Sequence, residues 1–221
     1  MHSEIGFLFD LDGVITDTAK FHFLGWSQLA KSIGIDLPAA FNEELKGISR
    51  MDSLDRILTY GKKENAYTKE EKEALATKKN KAYLAFLKEL GPQDILPGVE
   101  DFLTQAKERE IPCAIASASF SAPLILEKLG ISNFFSYIVD PGTVKKGKPD
   151  PEIFQKAAEG IGVLPENAIG FEDSQAGIYS IKSAGAYAVG IGSPLPLDKA
   201  DLQVESFQEI AVDELIAHVK K

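Results

Sequence analysis

The sequence predicts an α/β protein, a doubly wound, mostly parallel sheet core with an inserted helical cap domain. Three observations carry this. Short apolar runs at residues 5–10, 113–117, 136–140, 168–173 and 186–192 alternate with stretches of helical periodicity, as a parallel sheet with crossover helices requires. The first run is apolar without polar alternation, which suits a strand covered on both faces. The interval between the first and second runs is helical throughout and too long for a simple crossover, so it reads as an insertion.

Taken in order, "IGFLFD" is the first strand and ends at Asp10. The helical patterns "AKFHFLGWSQLAKSIG", "SLDRILTYG" and "TKEEKEALATKKNKAYLAFLKEL" follow, with Phe21, Phe23 and Trp26 expected in the core of the insertion. Gly91-Pro92 and Pro97-Gly98 punctuate the return, and "VEDFLTQAKERE" supplies the crossover helix before Cys113, a buried strand residue. The division is therefore residues 1–16 and 92–221 as the α/β core and residues 17–91 as the helical cap, with linkers near Thr16 and Gly91. The "GIG" at residues 190–192 reads as a strand-ending turn.

The chain has 221 residues, 44% hydrophobic and 26% charged, enough to bury a substantial core. A formal net charge of −9 argues against nucleic-acid or anionic-membrane partners and leaves anion binding to a local pocket. The single Cys113 cannot form an intramolecular disulfide, the N-terminus lacks the basic region and cleavage site of a signal peptide, and no apolar run reaches transmembrane length. A cytoplasmic protein, read as a monomer, is expected.

Ligands of open α/β sheets bind at the carboxyl ends of strands near a switch point. Asp10 and Asp12 lie at such an end, and the spacing i, i+2 turns both carboxylates toward one pocket while Leu11 packs inward and Gly13 permits a tight path. A bare strand-ending turn would use the same residues, but other strand ends bring matching chemistry. "ASAS" ends in Ser117, and Ser119 or Ser121 can cap the helix through "PLILEKLG". Lys148 precedes Pro149, with Asp150 and Pro151 as N-cap and first helical residue. "GFEDSQAGI" brings Glu172 and Asp173 to the same edge. Four converging acids need a cation, and hard oxygen ligands favour Mg²⁺. A nucleophilic carboxylate, a second acid or base, a hydroxyl, a lysine and a metal make up a phosphoryl-transfer site.

"FDLDGVITDT", "ASAS", "GKPDPEIF" and "GFEDSQAGI" resemble, in order, the four motifs of the haloacid dehalogenase superfamily, and the insertion resembles its helical cap. Within the superfamily, "DGVITDTAKFHFLGW" and "LKGISRMDSL" are most similar to the β-phosphoglucomutase family. The resemblance implies that Asp10 is the nucleophile and Asp12 the general acid and base. It implies Mg²⁺ on Asp10, the Asp12 carbonyl, Glu172 and Asp173. Ser117, the Ala118 N–H and Lys148 would hold the transferring phosphate; Arg50 would grip the substrate's other phosphate, with Ser119 and Ser121 opposite. It also places Thr18, His22, Gly47, Lys79 and Asn80 in the cleft, although Thr18 could simply cap or hinge the cap domain, His22 could be packing, and the lysine-rich helix face could be solvated. Lys78 and Lys81 are read as solvated. Phe120 and Ser121 stand where similar mutases carry a basic residue and then Asn.

The implied reaction interconverts β-glucose 1-phosphate and glucose 6-phosphate through an aspartyl-phosphate enzyme and β-glucose 1,6-bisphosphate, a small phosphorylated sugar being the partner. The alternative is an Mg²⁺-dependent sugar-phosphate phosphatase using the same aspartate. A non-enzymatic receiver-like signalling module would share the sheet, acids, hydroxyl and lysine, but the long insertion and paired aspartates count against it.

Overall fold

The computed structural model describes residues 5–46 and 48–219. Six strands form one sheet in the order β3-β2-β1-β4-β5-β6: β1 (Gly6–Phe9), β2 (Cys113–Ile115), β3 (Tyr137–Ile138), β4 (Ala168–Glu172), β5 (Tyr187–Ile191) and β6 (Leu202–Val204). Every pairing is parallel, with Phe7 opposite Cys113 on one side and Ile169 on the other. The order reverses at β1, between β2 and β4, and ligand-binding crevices form at such a switch point.

Both faces of the sheet are covered, which explains its uniformly apolar central strands. Phe7 and Phe9 point to one side, where Phe9 stacks on Phe171 at 4.7 Å between centroids and Phe102 lies 4.9 Å from Phe207. That layer is closed by α5 (Val99–Glu108), α6 (Ala122–Leu129) and α9 (Val212–Val219). Leu8 points to the other side, against α7 (Glu152–Gly160) and α8 (Gln175–Ala184). Strand β6 had no advance signal: "LQV" is short, partly exposed and polar at its centre, as an edge strand is.

Between β1 and β2 run α1 (Ala19–Ser32), α2 (Asn42–Leu45), α3 (Arg50–Tyr60) and α4 (Lys69–Phe86). They enclose an apolar cluster of their own around Trp26, Leu54, Ile57, Leu58 and Ala76. Helix α4 starts in a capping box, the Thr68 hydroxyl and Glu71 carboxylate each bonding the other's backbone N–H. The last turn of α4 and the residues after it differ in character, since Tyr83, Leu87 and Leu90 join the main sheet cluster. Phe21 departs from expectation in the same way: its ring stacks on Phe86 at 5.9 Å and packs against the sheet cluster, because the first turn of α1 lies over the junction. Trp26 is in the insertion's cluster as expected.

The two linkers run together. Thr16 bridges to Asp12 and Ile95, its hydroxyl donates to the Asp94 carbonyl at 2.7 Å, and Leu96 N–H donates to Ile15 O at 2.9 Å. Among the described residues no helix is long and apolar enough to cross a membrane.

Candidate active site

Asp10 immediately follows β1, and its N–H continues the ladder to Phe171 O at 2.9 Å. The chain then turns sharply at Gly13, whose φ of +87° suits glycine and where a Cβ would collide with the Asp173 carboxylate. Leu11 is buried in the sheet cluster while Asp10 and Asp12 face the same cleft. Glu172 is the last residue of β4 and fully buried. Its Oε1 accepts from the Ser174 hydroxyl at 2.9 Å and from the N–H groups of Asp173 and Ser174 at 3.2 Å. The Ser174 hydroxyl in turn caps α8 by accepting from Gly177 N–H. A Cβ at Gly177 would overlap the Glu172 carboxyl, so this glycine makes room for the acid.

Lys148 closes the cluster from the α7 side. Its buried ammonium donates to Asp10 Oδ1 and Glu172 Oε2, both at 2.6 Å. Burial disfavours that ammonium, but the two carboxylates outweigh it and hold its pKa above the usual lysine value. The Lys148-Pro149 peptide is cis. Asp150 caps α7 by accepting from Glu152 N–H at 3.1 Å; Pro151 sits at the N-cap position and the helix begins one residue later than the sequence suggests.

Burial, then the neighbouring Glu172, raise the Asp10 pKa to about 7 despite Lys148. Burial and Asp10 raise Asp12 to about 8, and its Oδ1 is a buried oxygen without a hydrogen bond among the described residues. Asp173 is pushed well up by burial and Glu172, and its Oδ2 meets the Lys46 ammonium at 3.1 Å. One oxygen each from Asp10, Glu172 and Asp173 lies within 4.8 Å of the others, all three residues being buried. This is a hard oxygen set of excess negative charge at the switch point, and it fits a divalent cation of the Mg²⁺ type.

Asp10, Asp12, Ser117, Ala118 and Ser119 line the core side of the cleft; His22, Arg50, Lys79 and Asn80 line it from the insertion. Ser117 Oγ accepts from Ser119 N–H at 3.1 Å, and Ser119 Oγ from Ser121 N–H at 3.2 Å. Ser121 therefore occupies the N-cap position of α6 without capping it by its side chain; that bond comes from Ser119. Thr18 is buried at the N-cap of α1, likewise without a side-chain cap bond, and is not among the residues lining the cleft. Gly47 lies outside the described residues.

Lys79 is 2% exposed while its neighbours Lys78 and Lys81 are exposed, so one helix face turns a single lysine inward. Its ammonium lies 2.7 Å from His22 Nδ1 and 4.7 and 4.9 Å from the centroids of Trp26 and Tyr83. Burial and Arg50 lower its pKa to about 7, and burial and Lys79 hold His22 well below the usual histidine value. His22 Nε2 is 3.9 Å from Asp12 Oδ2.

Sequence reasoning missed two residues. Lys46 carries its charge from the insertion to Asp173, and Ser174 fixes the Glu172 carboxylate. Serine at an N-cap, before "QAGI", was the available signal for the second. Nothing local distinguishes Lys46 from a surface lysine. Phe23, expected in the insertion's core, instead lines the cleft.

Residues 6–185 match the haloacid dehalogenase-like hydrolase family. The chain is 47% identical over 206 residues, 93% of its length, to the β-phosphoglucomutase of Bacillus subtilis, covering 91% of that protein. It is 28% identical over 217 residues to a phosphorylated carbohydrates phosphatase of Thermotoga maritima, covering 97% of both. The crystal structure of a β-phosphoglucomutase from Clostridium difficile superposes with a TM-score of 0.94 at 46% identity, over 97% of this chain and 96% of that one. With this site at the switch point of this sheet, the chain belongs to the haloacid dehalogenase-like hydrolase family.

Proposed function

We propose that the protein is a phosphoryl-transfer mutase that interconverts β-glucose 1-phosphate and glucose 6-phosphate. The observation that carries the reading is Asp10, a carboxylate at the switch point beside a buried lysine, with Asp12 two residues on in the same cleft. Likeness to β-phosphoglucomutases over nearly the whole chain supports the substrate.

In this reading an Asp10 oxygen attacks phosphorus and the ester P–O bond breaks, giving an aspartyl phosphate and a sugar hydroxyl. Asp12 protonates the leaving oxygen and, in reverse, takes the proton from the hydroxyl that attacks the aspartyl phosphate. A carboxyl with a pKa near 8 can carry that proton in both directions at neutral pH. Lys148, the Ser117 hydroxyl and the Ala118 N–H hold the transferring phosphate, and Arg50 holds the other phosphate through its planar fork. His22 and Lys79 bias Asp12 from the insertion side. Asp10, Glu172, Asp173 and the Asp12 carbonyl would hold Mg²⁺, which supplies charge neutralisation for the phosphoryl oxygens. Residues 1–16 and 92–221 form the catalytic core and residues 17–91 the cap that excludes water. β-Glucose 1,6-bisphosphate is the intermediate and primer. Charged sugar phosphates do not cross a bilayer unaided, which fits a cytoplasmic setting.

Transfer to a sugar hydroxyl in preference to water by ~1000-fold requires about 4 kcal/mol of differential transition-state stabilisation. Without it the same residues make a sugar-phosphate phosphatase, a reading favoured by the likeness to a carbohydrate phosphatase. The test is phosphoenzyme formation. Incubated with a phosphate donor and Mg²⁺ and then quenched in acid, the wild-type protein should carry one acyl phosphate that maps to Asp10. A phosphate on any other residue, or none during active turnover, refutes the assignment.

A further inference from the structure

Arg50, which lines the cleft, meets Phe120, the residue after the cleft-lining Ser119. Arg50 is the first residue of α3, its backbone fixed by Ser49, which caps the helix by accepting from Asp52 N–H at 3.1 Å. Phe120 is on the sheet side, in a turn pinned by the Ser117 and Ser119 hydroxyls accepting from Ser119 and Ser121 N–H. Phe120 is 59% exposed, and its ring centroid lies 5.7 Å from the Arg50 guanidinium carbon. Among the described residues no carboxylate pairs with Arg50, although the guanidinium is partly buried and borders a cleft that also holds Asp10 and Asp12.

A guanidinium left without a partner would be mobile, and one paired with a carboxylate would have its charge cancelled before an anion arrived. An aromatic face does neither: it attracts the cation through its quadrupole and leaves the net charge and the N–H fork available. We propose that Phe120 is a specificity-determining positioning residue, holding Arg50 at the cleft without neutralising it, so that the far phosphate of a two-phosphate sugar meets a pre-placed cation. This rests on the assignment of Arg50 to the second phosphate. Phe120 touches the arginine rather than the reacting atoms, and it favours ligands that carry an anionic group distant from the one at Asp10.

The test uses the full-length protein with Mg²⁺ and the variants Phe120→Ala, Phe120→Tyr and Phe120→Glu, each checked for native thermal unfolding. Probes are glucose 1,6-bisphosphate and an aryl phosphate lacking a second anionic group. Loss of an exposed cation–π contact, about 0.5–1 kcal/mol, converts to about a 2- to 5-fold rise in KM for the bisphosphate. Phe120→Ala should show that rise with a smaller change in kcat and a smaller change for the aryl phosphate. Phe120→Tyr should restore the wild-type KM, and Phe120→Glu, which neutralises Arg50, should be worse than Phe120→Ala. Equal effects on both probes, no rescue by Tyr, or Glu no worse than Ala would overturn the proposal. If the wild type turns over neither sugar phosphate, the mutase reading fails separately. Trp26, the sole tryptophan and a cleft residue, then reports bisphosphate affinity directly by fluorescence titration. A wild-type Kd equal to that of Phe120→Ala would again refute the role, and the same 2- to 5-fold loss would support it.

Discussion

Replacing Lys148 should destabilise the protein in a way that depends on pH. The wild-type ammonium has no exposed surface and bonds two carboxylates at 2.6 Å each. Removing one partner of a buried, hydrogen-bonded ion pair costs about 3–5 kcal/mol, because the other charge stays buried and uncompensated. For a chain of this size each kcal/mol moves Tm by roughly 2–4 °C, so Lys148→Ala in metal-free buffer should lose about 6–20 °C. Lys148→Met separates charge from packing: it keeps most of the side-chain volume beside Phe154, whose ring centroid lies 5.1 Å from the ammonium, but not the charge. Burial and Glu172 already raise Asp10 to about 7, and without the lysine it holds its proton more tightly in the folded state. A carboxyl whose folded pKa is raised contributes stability that is present below its unfolded value and lost as pH rises through the folded one. The deficit should therefore grow from pH 5 to pH 8. The assay is thermal or urea unfolding of the three proteins at both pH values. Lys148→Met as stable as wild type at pH 8, or a deficit independent of pH, would rule out a buried charge pair at this site.

Other consequences can be measured alongside. Asp10→Asn should abolish acyl-phosphate formation and turnover while leaving the protein folded, as ³¹P NMR and far-UV circular dichroism would show. Arg50→Ala removes a charge-assisted contact of about 1.5–3 kcal/mol, so KM for a sugar bisphosphate should rise roughly 10- to 150-fold, with a much smaller change for an aryl phosphate; equal losses would contradict its role. Gly13→Ala forces a side chain into left-handed backbone and against Asp173; about 1–2 kcal/mol for the conformation and 1–3 for the overlap should appear in urea unfolding, with weaker Mg²⁺ binding by calorimetry. The metal-free protein should lose stability between pH 5 and 8 as Asp12 resists ionisation, and Asp12→Asn should flatten that slope. Lys79 acts in the opposite sense: its lowered pKa makes its contribution rise with pH between about 7 and its unfolded value near 10.5, so Lys79→Met should reduce the stability gained above pH 8.

Much of this arrangement was legible in the chain because it is written in local patterns. The unbroken apolar run before Asp10 announced a strand buried on both faces, and the i, i+2 aspartates their shared cleft. The interval of helical periodicity before Cys113 announced the insertion. What stayed hidden depends on contacts distant in sequence. Strand β6 is polar enough to pass as a loop until β5 pairs with it. Lys46 looks like any surface lysine until the fold brings Asp173 to it. Phe21 is set by its position over the junction and Phe23 by the path of α1 along the cleft, neither of which hydropathy records. Ser119 and Ser121 both have the chemistry of a cap, and only the turn geometry decides for Ser119.

In a mutase, Asp10 carries a phosphoryl group from one sugar hydroxyl to another while water is kept out. A ³¹P NMR time course with Mg²⁺, β-glucose 1-phosphate and a trace of bisphosphate primer follows both acceptors at once. Glucose 6-phosphate should accumulate with little inorganic phosphate, and Asp10→Asn should give no conversion. Inorganic phosphate as the main product would contradict the mutase reading and make the protein a phosphatase.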